Sequence, residues 1–139
     1  MKLNRLPDWD RRLACVTEKH IGMPAEWGVC DCLLTAADAI EAVTGKDLAS
    51  SIRGTYSDQL GALRAMRRRK CKTVVEVFAK RFPAIGPLSA WRGDVGVIEI
   101  NGVLSAGYFT EYGFAVKADH GLVFRPMTDV ARAFQIGGR

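Results

Sequence analysis

The chain has 139 residues, of which 48% are apolar and 25% charged, and its formal net charge is +5. These totals predict one soluble globular domain over residues 1–139 and exclude a transmembrane protein, since no apolar run approaches the ~20 residues a span needs. The mild positive charge points to solubility or an acidic partner rather than to nucleic acid.

Met1 to Asp10 lacks the apolar stretch of a secretory leader, so folding is expected in a cytoplasm. Cys15, Cys30, Cys32 and Cys71 are then expected as free thiols. Cys30 and Cys32 form a C-x-C pair with no second pair at metal-site spacing, so neither a metal nor a cofactor is expected.

In chain order, Asp8 is placed to cap a first helix with an inward stripe of Trp9, Leu13, Val16 and His20. Trp27-Gly28-Val29-Cys30-Asp31-Cys32 reads as a loop entering a second helix capped by Asp31. Leu33, Ala36, Ala37, Ile40, Val43 and Thr44 follow at helical spacing, and Gly45 stops that helix. A connection through Ser50, Ser51, Arg53, Gly54 and Thr55 leads to Ser57, the expected cap of a third helix with Leu60, Leu63 and Met66. Thr73 and Glu76 form a capping box for a fourth, with Val74, Val77, Phe78 and Phe82 inward and Pro83 as its stop.

The pattern then changes to strands. Asp94–Ile100 and Val103–Phe109 are joined by Asn101-Gly102, a hairpin turn in which both residues need positive φ. Gly113–Ala118 and Gly121–Pro126 are joined by Asp119-His120, and a helical turn over Thr128–Arg132 precedes a short strand, Ala133–Ile136. Helices in 1–86 and strands in 94–136 predict an α+β fold, N-terminal helices packed on a C-terminal antiparallel sheet of about four to six strands.

Cys32 is the candidate nucleophile, because the positive end of a helix favours thiolate over thiol. Trp27 is the best candidate for a wall of the site, whereas Trp9 and Trp91 read as core. His120, next to Asp119, is the one histidine of the sheet half and the candidate base; its plainer reading is an exposed turn residue. His20 reads as a packed or helix-capping residue. The run Arg64, Arg67, Arg68, Arg69, Lys70 and Lys72 reads as a solvated helix end or part of a protein interface.

A thiol at the start of a helix, ahead of an antiparallel sheet, resembles the NlpC-type papain-like cysteine peptidases. The matching residues are Trp27, Gly28, Asp31 and Cys32 at the nucleophile motif, and Gly93-Asp94 with Val95, Val97 and Ile98 at the first core strand. The chain is more closely similar to a group of small tailed-phage and prophage proteins described as a domain of unknown function. The shared elements run in order through Leu6-Pro7-Asp8-Trp9, Trp27-Gly28, Asp31-Cys32, Ala37-Asp38 and Thr44-Gly45-Lys46-Asp47. They continue through Arg53-Gly54-Thr55-Tyr56, Ala90 to Val95 and Gly121-Leu122-Val123-Phe124.

The resemblance implies an NlpC-like fold encoded among tail genes. It puts the catalytic histidine slot near Ser105, ahead of Ala106-Gly107-Tyr108, and serine is no base for a thiol at neutral pH. The expected function is therefore a tail-tip or tail-assembly component with a degenerate peptidase-like fold. It would contact other tail proteins, first in the host bacterial cytoplasm and then in the virion tail. The alternative is a thiol endopeptidase or amidase acting on peptidoglycan peptides during DNA entry, with Cys32 as nucleophile and His120 as base.

Overall fold

The computed structural model describes residues 3–138; Met1, Lys2 and Arg139, at the ends of the expected unit, lie outside the described residues. It is an α+β fold in which the helices come first and the sheet follows.

Helix α1 (Trp9–Ile21) buries Leu13, Thr17 and His20, with Trp9 and Val16 packed at the margin of the core. Asp8 stands at its N-cap position, but the carboxylate accepts no hydrogen bond from the helix, so the expected side-chain cap is not made. Helix α2 (Cys32–Thr44) is the central one, with nine of its 13 residues buried. Ala36, Ala39 and Ala42 keep its surface low, which lets α1 and the sheet pack closely against it. It ends as expected at Gly45, whose φ of 78° is in the left-handed region and whose N–H reaches the Glu41 carbonyl.

Helix α3 (Gln59–Arg68) is capped by Asp58 rather than by Ser57: the Asp58 carboxylate accepts from Gly61 N–H at 2.7 Å. Leu60, expected on its apolar stripe, faces solvent. In α4 (Val74–Ala79) Thr73 caps Glu76 as anticipated, but the Glu76 carboxylate reaches the Lys72 N–H instead of closing the box on Thr73.

The sheet consists of β1 (Ala84–Ile85), β2 (Val95–Ile100), β3 (Val103–Thr110), β4 (Gly113–Ala118), β5 (Gly121–Arg125) and β6 (Val130–Phe134). Its order is β1-β6-β2-β3-β4-β5, with every neighbouring pair antiparallel. The meander β2 to β5 follows the expected hairpins, and Asn101 and Gly102 take φ of 51° and 79°.

The last strand departs from expectation. It begins at Val130 and lies between β1 and β2 as an inner strand, and a 3-10 turn, Met127–Asp129, replaces the longer helical turn. Burial of Val130 against Ile98 across a β-bulge draws the chain into the sheet three residues early.

Strand alternation divides the core into two faces. Val95, Val97, Ala106, Tyr108 and Ala115 pack with Leu13, Ile40 and Phe78 of the helices. Ile98, Phe109, Phe114, Val116 and Val130 pack on the opposite face, where the Phe109 and Phe114 rings meet edge-on at 4.9 Å. Trp91, expected in the core, is 50% exposed.

Asp94 joins the two ends of the chain to the sheet. Its fully buried carboxylate accepts from Arg5 Nη2 at 3.0 Å, Ile136 N–H at 2.9 Å and Trp91 N–H at 2.8 Å. Arg5 also donates to the carbonyls of Arg92 and Ile136 and lies 4.3 Å over the Trp9 ring. Removing one member of a buried, hydrogen-bonded pair leaves the other uncompensated. Asp94→Ala is expected to lower stability by about 3–5 kcal/mol in urea unfolding, because Arg5 and the N–H groups of Trp91 and Ile136 lose their acceptor, and Arg5→Ala is expected to cost a similar amount, because it leaves a fully buried carboxylate without its cation.

Candidate functional site

The approach to Cys32 is fixed by backbone constraint. Gly28 has φ of +81°, and a Cβ there would stand 2.0 Å from the Tyr56 carbonyl oxygen. Its own carbonyl accepts from Gly54 N–H at 2.8 Å, so the loop before α2 is joined to the loop before α3. Asp31 completes the clamp. One carboxylate oxygen accepts from Leu34 N–H at 2.9 Å, the N-cap bond; the other accepts from Gly28 N–H at 3.0 Å and Tyr56 Oη at 2.5 Å. Burial, followed by this bond to a carboxylate, pushes the Tyr56 phenol far above its usual range. Tyr56 has no counterpart in the sequence reading beyond its place in Arg53-Gly54-Thr55-Tyr56, a shared element without an assigned role.

Cys32 is the first residue of α2, as expected, but the field of the helix does not prevail. Burial pushes the thiol pKa up and the Asp31 carboxylate adds to the rise; the N–H groups of Ala106, Leu33 and Cys32, which favour thiolate, offset only part of it. Burial thus outweighs the helix terminus, and the surroundings favour the thiol over the thiolate. Cys30, two residues earlier, is buried in the loop and donates to the Pro24 carbonyl at 3.1 Å.

The sulfur borders a cavity of about 620 Å³ between the start of α2, helices α3 and α4, and the ends of β3 and β4. Trp27, Asp31, Tyr56, Ser105 and Lys117 border it too. Trp27, on the border of this cavity, is 41% exposed. Ser105 reaches the border, but it pairs with Ile98, whose side chain belongs to the far face of the sheet. Alternation gives the position facing α2 to Ala106, the strand residue whose N–H acts on the sulfur.

Neither histidine joins this cavity. His120 is exposed in the turn between β4 and β5, and its neighbour Asp119 reaches the rim without it. His20 is fully buried elsewhere, with Nε2 2.8 Å from Asp38 Oδ2 and with Nδ1 lacking a hydrogen-bond partner among the described residues. Among the described residues no cluster of three or more His, Cys, Asp or Glu could hold a metal ion, and no helix is long and apolar enough to cross a membrane.

Two polar devices that sequence reasoning missed support the site from behind. Arg53 pairs with Asp38 at 2.7 Å and with Asp47 at 2.9 Å, tying the loop before α3 to α2. Burial opposes ionisation of Asp38, but His20 and Arg53 prevail and hold its carboxyl below the usual range; Arg53 does the same for Asp47. Lys117, in a strand that otherwise reads apolar, is buried and donates to the carbonyls of His20 at 3.1 Å and Met23 at 2.6 Å. These bonds pin the end of α1 to β4. A lone lysine in an apolar strand was the only signal for this role.

Two measurements test these electrostatics. Cys15 is exposed on α1, so mass-mapped iodoacetamide labelling near neutral pH is expected to modify it at least about tenfold faster than Cys32. Asp31→Asn removes the adjacent negative charge and lowers the Cys32 pKa, which raises the rate at Cys32. For Asp38 and Asp47, whose folded-state pKa values are depressed, the stabilisation exists above the unfolded pKa and disappears as pH falls through the folded one. Urea titrations from about pH 5 to about pH 2 are therefore expected to show the stability gap between wild type and Arg53→Met narrowing with acid.

No curated protein and no solved structure matches this chain. The profile of one family matches residues 4–136, which covers both the clamp around Asp31 and the whole sheet. The chain belongs to that family, described as Domain of unknown function (DUF6950).

Proposed function

We propose that this chain is an assembly component of a phage tail, a binding module on a cysteine-peptidase-like frame whose thiol no longer performs hydrolysis. The observation that carries the loss of chemistry is the setting of Cys32. Its sulfur lies beside a carboxylate, its pKa is raised by burial, and no imidazole borders its cavity. Acyl transfer by a thiol needs a base to form the thiolate and an acid to protonate the leaving amine. Asp31 supplies neither, because its oxygens are occupied by Gly28, Leu34 and Tyr56.

The tail assignment is supported by the ordered resemblance to phage and prophage proteins, from Leu6-Pro7-Asp8-Trp9 to Gly121-Leu122-Val123-Phe124. On this reading the protein folds in the host bacterial cytoplasm, joins other tail proteins there, and remains in the virion. The competing reading, a peptidoglycan endopeptidase or amidase with His120 as base, requires the β4–β5 turn to carry an exposed ring into a cavity it does not border.

Purified protein incubated with isolated peptidoglycan is expected to release no more soluble peptide than Cys32→Ala. Cleavage by wild type that is lost in Cys32→Ala would overturn the inactive reading. A mass-spectrometric inventory of purified virions and tail intermediates is expected to contain the chain; absence from both would remove the tail assignment.

A further inference from the structure

We propose that the surface formed by the end of α3, helix α4 and the loop before α3 is a docking site for an acidic segment of a partner protein that carries a bulky apolar anchor. Two independent features meet there. One is charge. Residues 64–81 hold eight of the chain's 20 cations and one of its 15 acids, a local +7, so the remaining residues sum to −2. The positive surplus of the protein is therefore confined to one segment. Among the described residues none of those eight cations forms an ion pair; the pairs present involve Arg5, His20, Arg53 and Arg125.

The other feature is a cavity of about 310 Å³ bordered by three of these eight cations. Leu33, Leu48, Ile52, Phe78 and Phe82 line it, while Arg69, Lys80 and Arg81 supply its charged border, and among the described residues no carboxylate borders it. Leu33 and Ile52 also line the thiol cavity, so the two spaces lie back to back. The border is built. Arg69 donates to Ser51 Oγ at 2.6 Å and to the Ala65 carbonyl, and Lys80 Nζ donates to the carbonyls of Arg69 and Lys70. Hydrogen bonds to neutral carbonyls and a hydroxyl orient these cations without neutralising them.

An apolar recess with an uncompensated cationic border is complementary to an apolar side chain flanked by carboxylates. A single-chain amphiphile with one negative group would satisfy the recess but leave the run from Arg64 to Lys72 unpaired. A nucleic acid backbone would meet the cations and leave the recess unfilled. An acidic protein segment satisfies both. This proposal deepens the reading of the chain as an assembly component and rests on it for the protein nature of the partner; the two fail separately, because peptide binding here is independent of hydrolysis at Cys32.

The probe is a fluorescein-labelled peptide with a Leu-Phe pair flanked on both sides by glutamates, titrated with the full chain and read by anisotropy. Saturable binding that weakens with added salt is expected, and replacing the Leu-Phe pair by Ser-Ser should abolish it. Arg81→Glu, exposed at the border, is expected to weaken binding about fivefold, whereas Arg11→Glu, exposed on α1 and identical in charge change, should alter it less than about twofold. No saturable binding, equal binding of the Ser-Ser peptide, or equal effects of the two reversals would overturn the proposal. Tighter binding of oligothymidylate or of vesicles containing an anionic lipid would also overturn it and reassign the surface to that class.

Discussion

The Asp31 carboxylate is the interaction on which the thiol cavity depends. It caps α2, holds Gly28 in its left-handed turn and anchors Tyr56, so three segments converge on one buried group. Every donor it accepts lies within or beside the wall of the cavity. A carboxylate in that position has an unavoidable second effect: it places negative charge one residue from the sulfur, against the thiolate. The feature that builds the site geometrically thus opposes nucleophilic use of it, unless a cation or imidazole compensates. The one buried lysine nearby, Lys117, is committed to the carbonyls of His20 and Met23 and serves packing.

Comparable economy appears at the other end of the molecule. Asp94 opens β2 and gathers Arg5, Trp91 and Ile136, residues from the start, middle and end of the chain. The Gly-Asp pair at the head of the first core strand therefore has a structural reason here that involves no chemistry. Gly93 has φ of +91°, where an L side chain is strained, and a Cβ there would crowd Arg5 Nη1 at 2.9 Å, so the tight entry to the strand favours glycine. The aspartate is required by the donors it satisfies.

The parts legible from sequence were those governed by local physics. Asp31 as a cap, Gly45 as a stop and Asn101-Gly102 as a turn are each set by one or two residues and their allowed dihedrals, and all three hold. What escaped was either a choice between adjacent candidates or a non-local pairing. The Ser57 cap failed because Asp58 competes for the same role one residue on. Strand β6 could not be assigned to the middle of the sheet, since its position depends on pairing with residues some 35 positions earlier. The surroundings of the thiol were not legible, because a helix terminus can be read from spacing, whereas burial of Cys32 beside Ala106 depends on how the sheet closes over α2.

Charge placement points the same way as the thiol. Activation of a cysteine by its surroundings needs positive potential at the sulfur. This chain has a surplus of cations, but it concentrates them between residues 64 and 81, and the side-chain charge acting on Cys32 is the negative one of Asp31. Arg69 and Lys72 border the thiol cavity, yet neither figures among the groups that shift the sulfur. The positive potential is instead spread over a face that also opens an apolar recess. Electrostatics so distributed matches the proposed recognition of an acidic partner, and it puts no positive side chain among the groups that act on the thiol.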